Sequence, residues 1–337
     1  MQVSSEARPA PALNLLPSSG RSELGSPLGS SASGLNQLQG SVSPSRLSLD
    51  DGFLIGQGRF GRVYTAVNNK TGDLMAMKEI HLQPNDHKTI RSVAEELKIL
   101  EGINHKHLVK YYGVEIHREE MFIFIEFCGE GTLESLSASV ESGLPEHLIR
   151  RYTKQLLSAV SCLHSHHIIH RDIKGANVFL TDECRRLKLG DFGCSVKIVA
   201  HTTMQGEVKG LVGTPAFMAP EVYTRSSGEG QGRAADIWSL ACCVVEMATG
   251  KRPFPELEDT YQIMFRVGMG GSPSLPDKLS EEGRQFLELC FVHDPKKRAQ
   301  AHRLEDHPFV KVESDGDEYL SSLPQSLMSG FVRPGVT

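Results

Sequence analysis

Eight consecutive residues, His170-Arg171-Asp172-Ile173-Lys174-Gly175-Ala176-Asn177, bring a carboxylate, an ammonium and an amide close together. A hydroxyl nucleophile needs a carboxylate near its proton, and Asp172 can supply one. Lys174 can balance charge on a transferring phosphate. Asn177 offers a neutral oxygen, which suits a hard cation such as Mg2+. Asp191, in Asp191-Phe192-Gly193, adds a charged oxygen for the same ion. Further upstream, Gly56-Gln57-Gly58-Arg59-Phe60-Gly61 is a GxGxxG. The dinucleotide-binding version of that motif opens a helix. Here the glycines run into an alternating strand, which leaves either an ordinary glycine hairpin or a turn between two strands lying over phosphates. Ala76 and Lys78 follow on one strand face. A small Ala76 can pack against a flat base while Lys78 reaches phosphates. Lys78 needs a buried carboxylate to hold it inward. Glu96 is placed to provide it, whereas Glu95 points ~100° away around its helix.

The elements that must position these groups can be read from periodicity. Val63, Thr65 and Val67 alternate, residues 68–72 make a turn, and Leu74, Ala76 and Lys78 continue with period two, which predicts two strands joined by a turn. Residues 90–102 read as a helix with Val93, Leu97 and Leu100 on one face. Residues 121–127 are apolar enough for a buried strand. After Gly131 the pattern turns helical: Leu148, Tyr152, Leu156, Val160 and Leu163 recur behind Pro145, a good first-turn residue. Residues 237–248 are apolar on nearly every side, which predicts a helix at the centre of a helical lobe. Short strands at 178–180 and 187–189 flank the approach to Asp191. The boundary between a strand-rich and a helical lobe falls near 128–132.

Composition narrows the field. The chain has 337 residues with a formal net charge of −5, which argues against a nucleic-acid partner or an anionic membrane surface. No apolar run approaches the ~20 residues of a membrane span, and no signal peptide is evident at the N-terminus. The seven cysteines form no CxxC pair and are odd in number, so reduced thiols and a cytoplasmic setting are expected. Residues 1–47 are rich in Ser, Pro, Gly and Leu and read as a disordered tail, and the polar stretch 313–337 as a loose one.

The motifs together resemble the signature set of protein kinases, over nearly all of the patterned sequence. Ala219-Pro220-Glu221 resembles the close of an activation segment, Arg298 the arginine that pairs with its Glu, and Asp236-Ile237-Trp238 the start of the central helix. The resemblance implies an α+β, two-lobed fold: a β-rich N-lobe over 48–128 with one key helix, and a mainly helical C-lobe over 129–312. Lys174 and Gly213-Thr214-Pro215 are similar to serine/threonine kinases. HRDIKGAN (170–177) with DFGCSVK (191–197), QPNDHKTI (83–90), HREEM (117–121) and GEGQGRAADIWSL (228–240) resemble the MEK kinases, or MAP kinase kinase kinases, with the fourth MEKK as the nearest branch. Met77, Lys106 and Ala241 depart from the family's commoner residues.

What the resemblance implies is specific. ATP and Mg2+ would be the cofactors. Asp172 and Lys174 would be catalytic, and Asn177 and Asp191 would be the metal ligands. Ile55, Gly56, Gly58, Gly61, Val63, Ala76, Lys78 and Glu96 would bind nucleotide. Ile125 aligns with the residue at the back of the adenine pocket, and the Glu126 C=O and Cys128 N–H would meet the adenine edge. The substrate would be a MAP kinase kinase, with an upstream activator or self-association governing activity. A Ste20-like kinase with another substrate and a catalytically silent scaffold are the alternatives, and retention of Lys78, Glu96, Asp172, Asn177 and Asp191 favours activity. Thr214 is expected to hydrogen-bond near Asp172 and Lys174. Residues 209–212 lack a hydroxyl, so either Thr202 and Thr203, in the most exposed part of the segment, accept a phosphate that Arg171 could organise, or Glu207 partly substitutes for that phosphate, or dimerisation orders the segment without one; weak dependence on phosphorylation there is the expectation. Ser26 and Ser43 each precede proline. His164, His166 and His167 are expected to be solvated or capping, His170 a packing residue, and Cys194 a small buried thiol.

Overall fold

Five antiparallel strands open the fold: β1 (Leu54–Gly58), β2 (Gly61–Val67), β3 (Leu74–His81), β4 (Tyr111–His117) and β5 (Glu120–Glu126), in spatial order β1-β2-β3-β5-β4. The computed structural model describes residues 52–58, 61–69, 71–81, 100, 102–117, 120–192, 196–197, 213–224 and 232–311. The β2–β3 hairpin is the expected one, with Val63 opposite Lys78 and Thr65 opposite Ala76. Strand alternation sorts the two faces. Met75, Met77, Phe122 and Phe124 pack together on one face, so Met77 serves as core. Ala76 and Lys78 lie on the other, beside Ile123 and Ile125.

Gly61 shows why a glycine is required at the mouth of the first hairpin. Its φ is +132°, and a Cβ there would lie 1.8 Å from the Glu79 carbonyl oxygen. The strand can cross β3 only without a side chain.

The chain then becomes mainly helical. α1 (Leu133–Ala138) is capped by Thr132, whose hydroxyl accepts from the Ser135 N–H while the Ser135 hydroxyl accepts from the Thr132 N–H. α2 (Glu146–Ser165) starts after Pro145 and buries Leu148, Tyr152, Leu156, Val160 and Leu163, the predicted stripe. β6 (Ile168–Ile169) pairs with β9 (Val196–Lys197), and β7 (Val178–Thr181) with β8 (Arg186–Leu189). α3 (Pro220–Thr224), α4 (Arg233–Thr249), α5 (Thr260–Gly268), α6 (Glu281–Cys290) and α7 (Ala301–Leu304) complete the fold. α4 is buried without interruption from Ala235 to Ala248, which explains its all-round apolar sequence. It stops at Gly250, whose φ is +69° and whose Cβ would meet the Val140 carbonyl oxygen at 2.6 Å. No helix among the described residues is long and apolar enough to cross a membrane. The predicted helix at 90–102 falls almost wholly outside the described residues, as do the two tails.

Candidate active site

The β7–β8 hairpin brings the two acidic motifs together. Val178 pairs with Leu189, and the Gly190 N–H donates to the Asn177 carbonyl at 3.0 Å. Asn177 and Asp191 therefore flank the open end of one hairpin. The sheet is held above it by the strand-like segment 107–109: the Val109 N–H donates to Leu189 O and the Leu189 N–H to His107 O, each at 2.9 Å. Lys78 Nζ then reaches down from β3 to Asp191 Oδ1 at 3.1 Å. Glu96, the expected partner of Lys78, lies outside the described residues, as do Gly193, Cys194, Thr202 and Thr203.

Asp172 is the most constrained side chain of the group. Its Oδ1 accepts from the Thr214 hydroxyl at 2.9 Å. Its Oδ2 accepts from Asn177 Nδ2 at 3.1 Å and faces Lys174 Nζ at 3.1 Å. Lys174 Nζ also donates to Thr214 Oγ1 at 2.8 Å, so Thr214 is tied to both residues, as its position implied. Asn177 spends Nδ2 on Asp172, through the carboxylate and through the carbonyl at 2.8 Å. Among the described residues no hydrogen bond engages its Oδ1.

His170 explains how the loop keeps this shape. It is 0% exposed. Its Nε2 donates to Gly190 O at 3.0 Å, and its Nδ1 accepts from the Asp172 N–H at 3.3 Å. Both bonds require the neutral ring with its proton on Nε2. Burial pushes its pKa down, against the pull of Asp236, so the neutral form is kept. Arg171 and Asp191 adopt φ of 73° and 56°, an uncommon region for side-chain-bearing residues, and both flank the reacting groups.

Asp236, at the start of α4, anchors the loop from below. Its Oδ2 accepts from the His170 N–H and from His164 Nε2, and its Oδ1 from the Arg171 N–H, all at 2.9 Å. Burial works to raise its pKa, but the hydrogen bond and charge of His164, with His170 and the Arg171 N–H, outweigh it and hold the carboxyl below its usual value. His164 thus corrects the expectation of a solvated or capping histidine: it is 8% exposed and belongs to the Asp236 cluster. Its helical spacing from Leu157 and Val160 on the buried face of α2 was the signal available in the sequence. His166, by contrast, is exposed and bonds the Cys162 carbonyl at the end of α2, and His167 is exposed beside Arg233.

The remaining nucleotide-side residues lie along one edge. Ile55 is exposed on β1, and Val63 shares the face of Ala76 and Lys78. Among the described residues nothing lies within 4 Å of a Cβ placed on Gly56. Glu126 is fixed by its N–H to Lys110 O at 2.8 Å and by its carboxylate to Lys188 Nζ at 3.0 Å. The thiol of Cys128 is pushed up to about 12, first by burial and then by Glu126, so it stays neutral. Below the site, Arg298 forms a bidentate pair with Glu221, at 2.6 and 2.9 Å, and stacks over Trp238 at 5.2 Å. The Tyr223 hydroxyl and Ser239 Oγ clasp the Pro215 and Phe217 carbonyls at 2.5 and 2.7 Å, fixing the backbone that presents Thr214.

Residues 50–310 match the family model described as a protein kinase domain. The chain is 60% identical over 262 residues to mitogen-activated protein kinase kinase kinase 4 of Mus musculus, covering 77% of this chain and 16% of that protein. The Homo sapiens protein of the same name gives the same figures. MAP kinase kinase kinase wis4 of Schizosaccharomyces pombe is 40% identical over 289 residues, covering 81% of this chain and 20% of its own length. The chain spans about a sixth of the length of the first two relatives.

Proposed function

Because this chain belongs to the protein kinase family, a family that uses ATP, we propose that it is a serine/threonine kinase acting as a MAP kinase kinase kinase on MAP kinase kinases in a stress-type cascade. The catalytic domain is placed at 48–312. The observation that carries the catalytic reading is the Asp172 carboxylate, oriented at once by Thr214, Lys174 and Asn177. The names and identities of the relatives support the finer reading.

The roles follow from the chemistry each group can do. Asp172 orients the substrate hydroxyl and takes its proton as the oxygen bonds to the γ-phosphorus and the bond to the ADP oxygen breaks. Lys174, kept beside Asp172 by Thr214, offsets charge on the moving phosphoryl group. Lys78 is a cation at the sheet side of the same space, suited to the ATP phosphates. The strands carrying Gly56, Gly58 and Gly61, with Ile55 and Val63, form the roof. Ala76 lies against the base, whose edge meets the Glu126 C=O and Cys128 N–H. The residues fit a hard divalent ion: Asp191 brings charge, and Asn177 has an amide oxygen that no described bond engages. Mg2+ held there would neutralise charge on the phosphates. The six cysteines among the described residues are free thiols, which supports the cytoplasm as the place of action.

The test is incubation of the purified chain with Mg·ATP and a panel of inactive MAP kinase kinases, with Asp172→Asn in parallel. Phosphate should appear on serine or threonine of at least one of them. The variant should lose ~10²–10⁴ in kcat with ATP affinity little changed. A variant keeping more than about a third of wild-type kcat removes Asp172 from this role, and an active chain that ignores the whole panel removes the proposed substrate class.

A further inference from the structure

Separate stretches of chain meet at one carboxylate at the end of β5. The Glu126 N–H donates to Lys110 O at 2.8 Å, and the Lys110 N–H donates back to Glu126 Oε2 at 3.1 Å. The same Oε2 lies 3.0 Å from Lys188 Nζ on β8. The Lys110 ammonium is elsewhere, over the Tyr112 ring at 5.3 Å. Lys110 thus gives Glu126 its backbone, and Lys188 gives the charge. The Glu126 and Lys188 side chains are 26% and 17% exposed, less open to water and salt than a surface pair.

These bonds close a ring. Segment 107–110 is bonded on one side to Glu126 and on the other to β8, through Leu189. Lys188 precedes Leu189 and reaches back to Glu126 past that segment. The backbone bonds alone join Glu126 to β8 indirectly, by way of residues 107–110. The ion pair joins them directly, so neither can slide without stretching a charge-assisted bond. The two ends tied in this way have different tasks. The Glu126 C=O is the group assigned above to the adenine edge. Asp191, assigned to Mg2+ beside the phosphates, follows Lys188 after Leu189 and Gly190. Base and phosphates belong to one molecule, so the separation of the groups that receive them has to match it. The loop around Asp172 hangs on other supports, Asp236 and His170.

We propose that Glu126 and Lys188 are a positioning pair for ATP: their ion pair sets the adenine-reading carbonyl at a fixed separation from the strand that delivers Asp191. The two side chains act through these neighbours and not on the reacting atoms. Losing the pair weakens nucleotide binding and leaves the transfer step little changed. This inference rests on the kinase reading above.

The experiment compares wild type with Glu126→Gln, Lys188→Met, the double variant and Lys188→Arg, following ATP KM and kcat. Calorimetric titration with Mg·ADP adds a binding readout that needs no phosphoryl transfer. Glu126→Gln keeps an acceptor for the Lys110 N–H, and Lys188→Met keeps most of the stem; each removes one charge. Each should raise ATP KM and the Mg·ADP Kd about threefold to fivefold, with kcat within about twofold. The double variant should stay near that same factor rather than show the two multiplied, because one interaction cannot be lost twice. Lys188→Arg retains the charge and should bind within about twofold of wild type. Single variants that both bind within about 1.5-fold of wild type overturn the proposal. So do losses that multiply in the double variant, a fall in kcat with KM unchanged, or a Lys188→Arg protein as impaired as Lys188→Met. The two Lys188 variants decide the matter if Glu126→Gln does not fold. A protein that shows the expected Kd pattern but transfers no phosphate overturns the kinase reading and leaves the pair standing; one that binds no Mg·ADP overturns both.

Discussion

Asp236→Asn is the sharpest perturbation the structure offers, because it changes one oxygen to nitrogen where every partner is a donor. The carboxylate accepts three bonds, two on Oδ2 and one on Oδ1. An asparagine has a single acceptor atom. Its best orientation keeps the oxygen toward His170 N–H and His164 Nε2 and turns the amide toward the Arg171 N–H, where two donors now oppose each other. The loss is one hydrogen bond to a charged group, ~1.5–3 kcal/mol, and one buried donor left unsatisfied, ~1–3 kcal/mol. About 3–5 kcal/mol is therefore expected in urea unfolding monitored by far-UV circular dichroism. The damaged bond belongs to Arg171, the residue before Asp172, so kcat should fall by about 10² or more. ATP binding depends on the sheet and the hinge strand and should change by less than about threefold. The acid limb should change as well. A carboxyl whose folded-state pKa is depressed stabilises the fold above its unfolded value of ~3.9 and loses that contribution as pH falls through the folded value. The variant should lack this component. A variant within about 1 kcal/mol of wild-type stability and with unchanged kcat would refute the anchoring role assigned to Asp236.

Three further outcomes follow from the same structure. Cys128→Ala should leave ATP KM within about twofold because backbone atoms do the reading, while Ile125→Gly should admit N6-bulky ATP analogues; a folded Ile125→Gly protein that rejects them contradicts the hinge assignment. His107 is buried against Leu187 O, and burial pushes its pKa down to about 4. Stability should thus be intact above the unfolded value of ~6.5 and decline by about 3 kcal/mol as pH falls toward about 4, as read from urea midpoints, with His107→Gln flattening that slope. Arg298→Met strands Glu221 in the interior and should cost ~3–5 kcal/mol, whereas Arg298→Met with Glu221→Leu should recover most of it; no recovery in the double variant would assign the loss to the other contacts of Arg298.

Much of the fold was legible because its periodic stretches keep their partners close in sequence. The β2–β3 hairpin needs only alternation and the turn at 68–73, and the stripe of α2 needs only helical spacing. The continuous apolar run of α4 has to be buried on every side, whatever surrounds it. The Asp172 and Asp191 motifs were legible for another reason: phosphoryl transfer demands those residue types, and their order along the chain is the order in which the elements deliver them. β4, by contrast, was not predicted, because Tyr111-Tyr112-Gly113 interrupts the alternation where its register with β5 shifts.

What the chain determines by itself is therefore the local elements and the inventory of reactive groups. Only the tertiary structure decided which distant residues serve them. Asp236 holds the backbone of His170 and Arg171 from 65 or 66 residues away, and His164 reaches it from the far end of another helix. Lys78 meets Asp191 across 113 residues, and Glu246 lies under Gly175, a neighbour that the apolar run around it does not name. Spacing along a chain encodes which face a side chain takes, not what stands opposite that face. Burial, charge pairing and protonation state depend on the second, and they appear only once the sheet, the catalytic loop and the buried helix are packed together.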